Sequence, residues 1–180
     1  MLQPRAGYGR IPVTIIRETM VGDWSTFFAA MVGAGAALTG LVFVALSINL
    51  KQILAFPGLP SRSAEAIILL MQPVIVGALV LIPGQRLVAL GIEMLVVGAA
   101  TSFQITKMIW NARALLGQLP AWQVATRIVF AELAVVPSLV AGGMLVAGVS
   151  QGLYVEAGAL FICILDGVLD AWVLLVEILR

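Results

Sequence analysis

The stretch WSTFFAAMVGAGAALTGLVFVALSINL, from Trp24 to Leu50, carries no charged side chain. A helix rising 1.5 Å per residue needs about 20 apolar residues to cross ~30 Å of hydrocarbon, and this run exceeds that length. It is also too long for the apolar region of a secretory signal, which spans roughly 7–15 residues. The run therefore predicts a transmembrane helix, and four more of the same kind follow it. They extend from about Ala64 to Ile82, Leu87 to Ile109, Ala125 to Val149 and Leu153 to Leu179. The breaks between them are Phe56 to Pro60, the Pro83 and Gly84 turn with Gln85 and Arg86, the more polar stretch from Asn111 to Gln123, and Ser150 to Gly152. The shorter breaks force the helices they join to lie antiparallel as neighbours. The expected fold is an all-α bundle of five transmembrane helices over residues 24–180, preceded by an N-terminal tail, residues 1–23.

Composition leads to the same solvent. Of the 180 residues, 62% are hydrophobic and 11% charged, against roughly 25% charged in a soluble domain. Too few polar groups are present to cover a water-facing surface. Trp24, Trp110, Trp122 and Tyr154 fall near the ends of the apolar runs, at the headgroup depth where amphipathic rings are enriched. Ten basic against nine acidic residues give a net charge of +1, without the clustered basic footprint that nucleic acid requires. There is no His and one Cys. Haem ligation, zinc sites, iron–sulfur clusters and a Cys–His nucleophile all lack their ligands, so no cofactor, no metal and no enzymatic activity are expected. Ser138 or Ser150 without a His is not a nucleophile.

Basic residues set an expected orientation. Arg5, Arg10, Arg17 and Arg86 lie on one side, and Lys51, Arg62, Lys107, Arg113, Arg127 and Arg180 on the other, which favours an outside N-terminus. MLVVG at Met94 and MLVAG at Met144 are a chance echo in apolar text rather than a repeat.

The polar residues inside the spans carry the functional question. On the third span Arg86, Glu93, Ala100, Gln104, Lys107 and Asn111 fall within a narrow arc, and on the fifth Glu156, Cys163, Asp166, Asp170 and Glu177 do the same. A charge at mid-membrane costs about 2.5–3.5 kcal/mol even on the lenient insertion scale, so these groups must face protein or water. By depth, Gln104, Glu132, Asp166 and Asp170 share one half of the bundle, with Lys107 and Arg127 nearer the surface. One reading is a proton or small-cation pathway whose candidate residues are Glu93, Gln104, Glu132, Asp166 and Asp170. The other is a set of buried salt bridges that fixes helix register, pairing Lys107 or Arg127 with Glu132 or Asp170, and Arg86 with Glu93 or Glu156. Asp166 has no evident basic partner at its depth. Water that reaches it is expected to reach Cys163, one turn earlier on the same face. Pro73 and Pro137 interrupt the second and fourth spans and free the carbonyls of Leu69 and Leu133. On the first span Thr26, Ala29, Gly33, Ala37, Gly40 and Ser47 form one small-residue face, with Gly33, Ala37 and Gly40 as candidates for close helix packing and for a homo-oligomer.

Trp24, Phe27, Phe28 and the run GAGAALTGLVFVALSINL from Gly33 resemble the opening of a family of small bacterial membrane proteins, labelled uncharacterised or modulators of a membrane-bound AAA protease. RSAEA at Arg62, PGQ at Pro83, Glu93, Glu132, GLYV at Gly152 and Trp172 are similar to that family's pattern, and Asp166 and Asp170 lie outside it. The resemblance implies a five-span, multi-pass protein of the bacterial inner membrane. The functional expectation is an ion pathway, with a non-conducting accessory or regulatory subunit of a membrane complex as the alternative. The expected partners are the lipid bilayer, a further copy of the chain and a membrane protein, and not nucleic acid.

Overall fold

A computed structural model describes residues 13–56, 58–115 and 121–178. All its regular elements are helices: α1 Val13–Ile48, α2 Leu50–Ala55, α3 Leu59–Val80, α4 Leu87–Leu115, α5 Ala121–Val146 and α6 Gly152–Ile178. Five of them are long and apolar enough to cross a membrane: Trp24–Ile48, Leu59–Val80, Leu87–Ala112, Val124–Val146 and Gly152–Val176. The protein is a multi-pass helical bundle of the membrane type. The expected tail lies partly outside the described residues, and from Val13 onward the backbone runs continuously into α1.

Local chemistry sets the helix ends. Between α1 and α3 the chain makes the short α2, then turns at Gly58, whose φ of 100° favours glycine. Pro60 sits in the first turn of α3, where its missing N–H leaves no bond unmade, so α3 starts at Leu59 rather than near Ala64. Gly84 and Gly148 adopt φ of 72° and 80° in the turns after α3 and α5. Pro73 and Pro137 lie inside α3 and α5, which remain single helices through them.

Four helices close a ring in which α3 packs on α4, α4 on α5, α5 on α6, and α6 back on α3. α1 stands outside the ring against α3. Phe28, Met31, Val76, Met94, Leu145 and Leu160 fill one half of the interior, and Leu69, Ile105, Val124, Ala134, Val135 and Cys163 fill the other. The antiparallel order of α4 and α5 is visible in their contacts: Gly91 faces Gly142, and Ser102 and Thr106 face Glu132.

Close backbone approach occurs at other glycines than those the sequence singles out. A Cβ on Gly91 would stand 2.7 Å from the Gly142 carbonyl oxygen, and one on Gly142 2.9 Å from that of Gly91. On α1 the contact residues are Phe28, Met31 and Gly35, the last against Leu70 and Pro73 of α3. Thr26, Ala29, Gly33, Ala37, Gly40 and Ser47 are all exposed on the opposite side, and a Cβ on Gly33 or Gly40 would meet nothing within 4 Å. The small-residue face is thus outside the bundle of one chain.

Candidate functional site

A cavity of about 250 Å³ lies between α3, α5 and α6, lined by Arg62, Glu65, Arg127, Asp166 and Asp170 together with apolar side chains. The depth of each group follows from its distance to the middle of its span at about 1.5 Å per residue. Arg62 and Arg127 stand about 11–12 Å from mid-span, Asp170 about 9 Å, Glu65 about 7 Å and Asp166 about 3 Å, all toward the same side. The cavity runs from near the bundle's end, where the guanidinium groups are, almost to its middle, where Asp166 is.

Its charges are held differently. Arg127 Nη2 donates to Glu65 Oε2 at 2.6 Å, tying α5 to α3, with the Glu65 side chain 5% exposed. Low exposure makes this a pair whose separation leaves an uncompensated buried charge. Asp166 is only half-buried and has no hydrogen-bonded or ion-paired partner among the described residues. Asp170, one turn further along α6, acts on it through its own charge. Among the described residues no three carboxylate or thiol groups are placed to hold one metal ion.

The other intramembrane carboxyls are built into the walls. Glu132 on α5 accepts from the Ser102 hydroxyl at 2.7 and 2.8 Å and from the Thr106 hydroxyl at 2.8 Å, both on α4. Glu156 on α6 is fully buried and accepts from the Ser138 hydroxyl at 3.1 Å, beside Pro137. Glu93 accepts from the Gln85 side-chain amide in the turn that precedes α4. Gln72 accepts from Thr101 at 2.9 Å, joining α3 to α4 at mid-span. Hydroxyl and amide donors do here what the sequence reading assigns to Lys107 and Arg86. Lys107 instead lies over the Phe103 ring at 5.9 Å, and Arg86 is exposed.

Of the five pathway candidates the structure brings two together, Asp166 and Asp170. Glu93 and Glu132 occupy separate sites, and Gln104 faces outward from α4 with Ala100, Lys107 and Asn111. The described side chains do not include Glu177. Cys163 is fully buried, and its thiol donates to the Ala134 carbonyl at 3.3 Å, so the cavity as shaped here ends before the sulfur. Sequence reasoning passes over Glu65 and Arg62 as site residues because both lie near the start of α3, where a charge reads as the edge of a span. Their spacing of three residues, which sets both on one helix face, is the signal that finds them. No family model, curated protein or solved structure matches the chain.

Proposed function

We propose that the protein takes up protons or small cations at Asp166, in the cavity between α3, α5 and α6. One observation carries this reading: Asp166 lines a cavity near mid-span without a hydrogen-bonded or ion-paired partner among the described residues, while Glu65, Glu93, Glu132 and Glu156 each have a protein donor. A carboxyl group serving only to fix register is closed against a partner, as Glu65, Glu93 and Glu132 are, whereas the second oxygen of the buried Glu156 has none among the described residues. A group left to face a cavity is available to a ligand, and intramembrane carboxyls left in this way mark ion pathways. Pro73 and Pro137 stand inside α3 and α5, two of the helices that line the cavity, and each removes one backbone hydrogen bond there.

The rival reading, a non-conducting accessory subunit of a bacterial membrane complex, is favoured by the apolar layer of Leu69, Val135 and Cys163, which separates the cavity from Glu156. In that reading the outward small-residue face of α1 supports self-association or a partner helix. Flux separates the two. Purified protein in liposomes containing a pH-sensitive dye is expected to dissipate an imposed proton gradient faster than empty liposomes. Traces that match empty liposomes sink the pathway and leave the accessory subunit.

A further inference from the structure

We infer that the cavity between α3, α5 and α6 receives the head group of a singly charged alkylammonium amphiphile, which enters sideways from the lipid between α5 and α6. The inference rests on reading the cavity as a cation site and names the class of cation.

Charge comes first. Glu65, Asp166 and Asp170 against Arg62 and Arg127 make three formal negative charges against two positive, so the lining is one positive charge short of balance. A single monocation restores it. Position decides the route. Arg62 and Arg127 occupy the end of the cavity nearest the membrane surface, and a hydrated cation arriving along the bundle axis meets guanidinium groups before it meets Asp166. On the flank the lining is apolar. Phe130 of α5 and Leu169 of α6 line the cavity and are 63% and 60% exposed, so they form a rim on the surface that lipid covers. A ligand whose charge is attached to an alkyl chain approaches over that rim without passing the arginines.

Volume fixes how much of the ligand goes in. At about 250 Å³ the cavity is below the roughly 300–1,000 Å³ of pockets that enclose whole drug-sized molecules. An ammonium head fits, and its chain stays outside against Phe130, Leu169 and lipid. Phe130 also offers an aromatic ring near the head, a face to which quaternary and alkylated ammonium groups are attracted. The half-buried Asp166, at the inner end, supplies the charge that an ammonium head meets last and deepest.

The test uses the full chain in nanodiscs of uncharged lipid, with a dodecylammonium probe that carries a photoreactive diazirine in its chain, and the matching dodecanol probe as the neutral control. After illumination, adducts are mapped by peptide mass spectrometry. The cationic probe is expected to label the segments around Phe130 and Leu169, with labelling lowered about tenfold by D166N, the scale of one lost charged contact. Leu169→Trp, which fills the rim with a larger apolar side chain, is expected to lower it as well, and Glu93→Gln, outside the cavity, to leave it unchanged. Equal labelling by the alcohol, or labelling indifferent to both D166N and Leu169→Trp, overturns the inference. If proton flux depends on Asp166 while the ammonium probe fails to label, the ligand class is wrong and the pathway stands. Charge-dependent labelling without flux retains the ligand site and removes the pathway.

Discussion

Arg127 and Glu65, on helices α5 and α3, meet at 2.6 Å on the wall of a cavity whose innermost carboxyl, Asp166, is left without such a partner among the described residues. The contrast divides the intramembrane charges into those that hold the bundle and those that face its interior space.

Separating the pair is expected to destabilise the protein strongly. Arg127→Met leaves a nearly buried carboxylate without its counter-charge, a change of about 3–5 kcal/mol when a buried pair loses one partner. Replacing both residues together, with Arg127→Met and Glu65→Met, removes the orphan and is expected to recover most of the loss. Thermal unfolding in mild detergent checks this. Equal destabilisation by the single and double variants would show that the pair is not coupled.

The bundle itself was legible in the sequence because hydrophobic run length is a one-dimensional quantity: about 20 apolar residues between polar breaks mark a span wherever it packs. Which face of a span turns inward depends on neighbours that are distant in sequence. Gln104 shares an arc with Glu93 in the sequence, yet α4 turns Gln104 outward and packs on α5 through Gly91, Ser102 and Thr106. The same limit applies to α1, where Phe28 and Met31 make the contact within the chain while Gly33, Ala37 and Gly40 face away from it. Asp166 and Asp170 were legible as a pair because one turn of one helix joins them. Glu65 and Arg127 were not, because their meeting is made by the α3–α5 arrangement.

Glycines at the two kinds of position are expected to respond differently to added bulk. Gly91→Leu or Gly142→Leu places atoms against a facing backbone carbonyl already within 3 Å of the new Cβ position. Backbone must move, and overpacking of this kind costs about 1–3 kcal/mol or more. Gly33→Leu and Gly40→Leu meet open space and are expected to leave the unfolding midpoint within about 0.5 kcal/mol of wild type. Unfolding of all four variants in detergent checks the contrast. If the α1 face joins copies of the chain, the latter two also lower the oligomer mass, which light scattering would detect.

The Glu132 site is expected to behave as structure. Ser102→Ala with Thr106→Val removes its hydroxyl donors and leaves a carboxyl poorly satisfied, at a cost of about 1–3 kcal/mol per orphaned group. Glu132→Gln retains hydrogen-bonding capacity and is expected to be milder. A Glu132→Gln variant less stable than the double hydroxyl variant would contradict this assignment.

Thiol chemistry maps where the cavity ends. Cys163 is fully buried and Leu169 lines the rim. In intact membranes Leu169→Cys, made in a Cys163→Ala background, is expected to react with a small membrane-permeant maleimide, while the native Cys163 reacts slowly until the protein is denatured. Rapid labelling of native Cys163 would mean that water passes the Leu69 and Val135 layer.

The most direct measurement of the account compares two carboxyl variants in the same flux assay. Wild type, Asp166→Asn and Glu132→Gln are reconstituted at equal density in liposomes, and the decay of an imposed proton gradient is followed with an internal dye. Glu132→Gln is expected to decay close to the wild-type rate and Asp166→Asn close to that of empty liposomes. Asp166→Asn decaying as fast as wild type, or all three matching empty liposomes, would contradict the pathway.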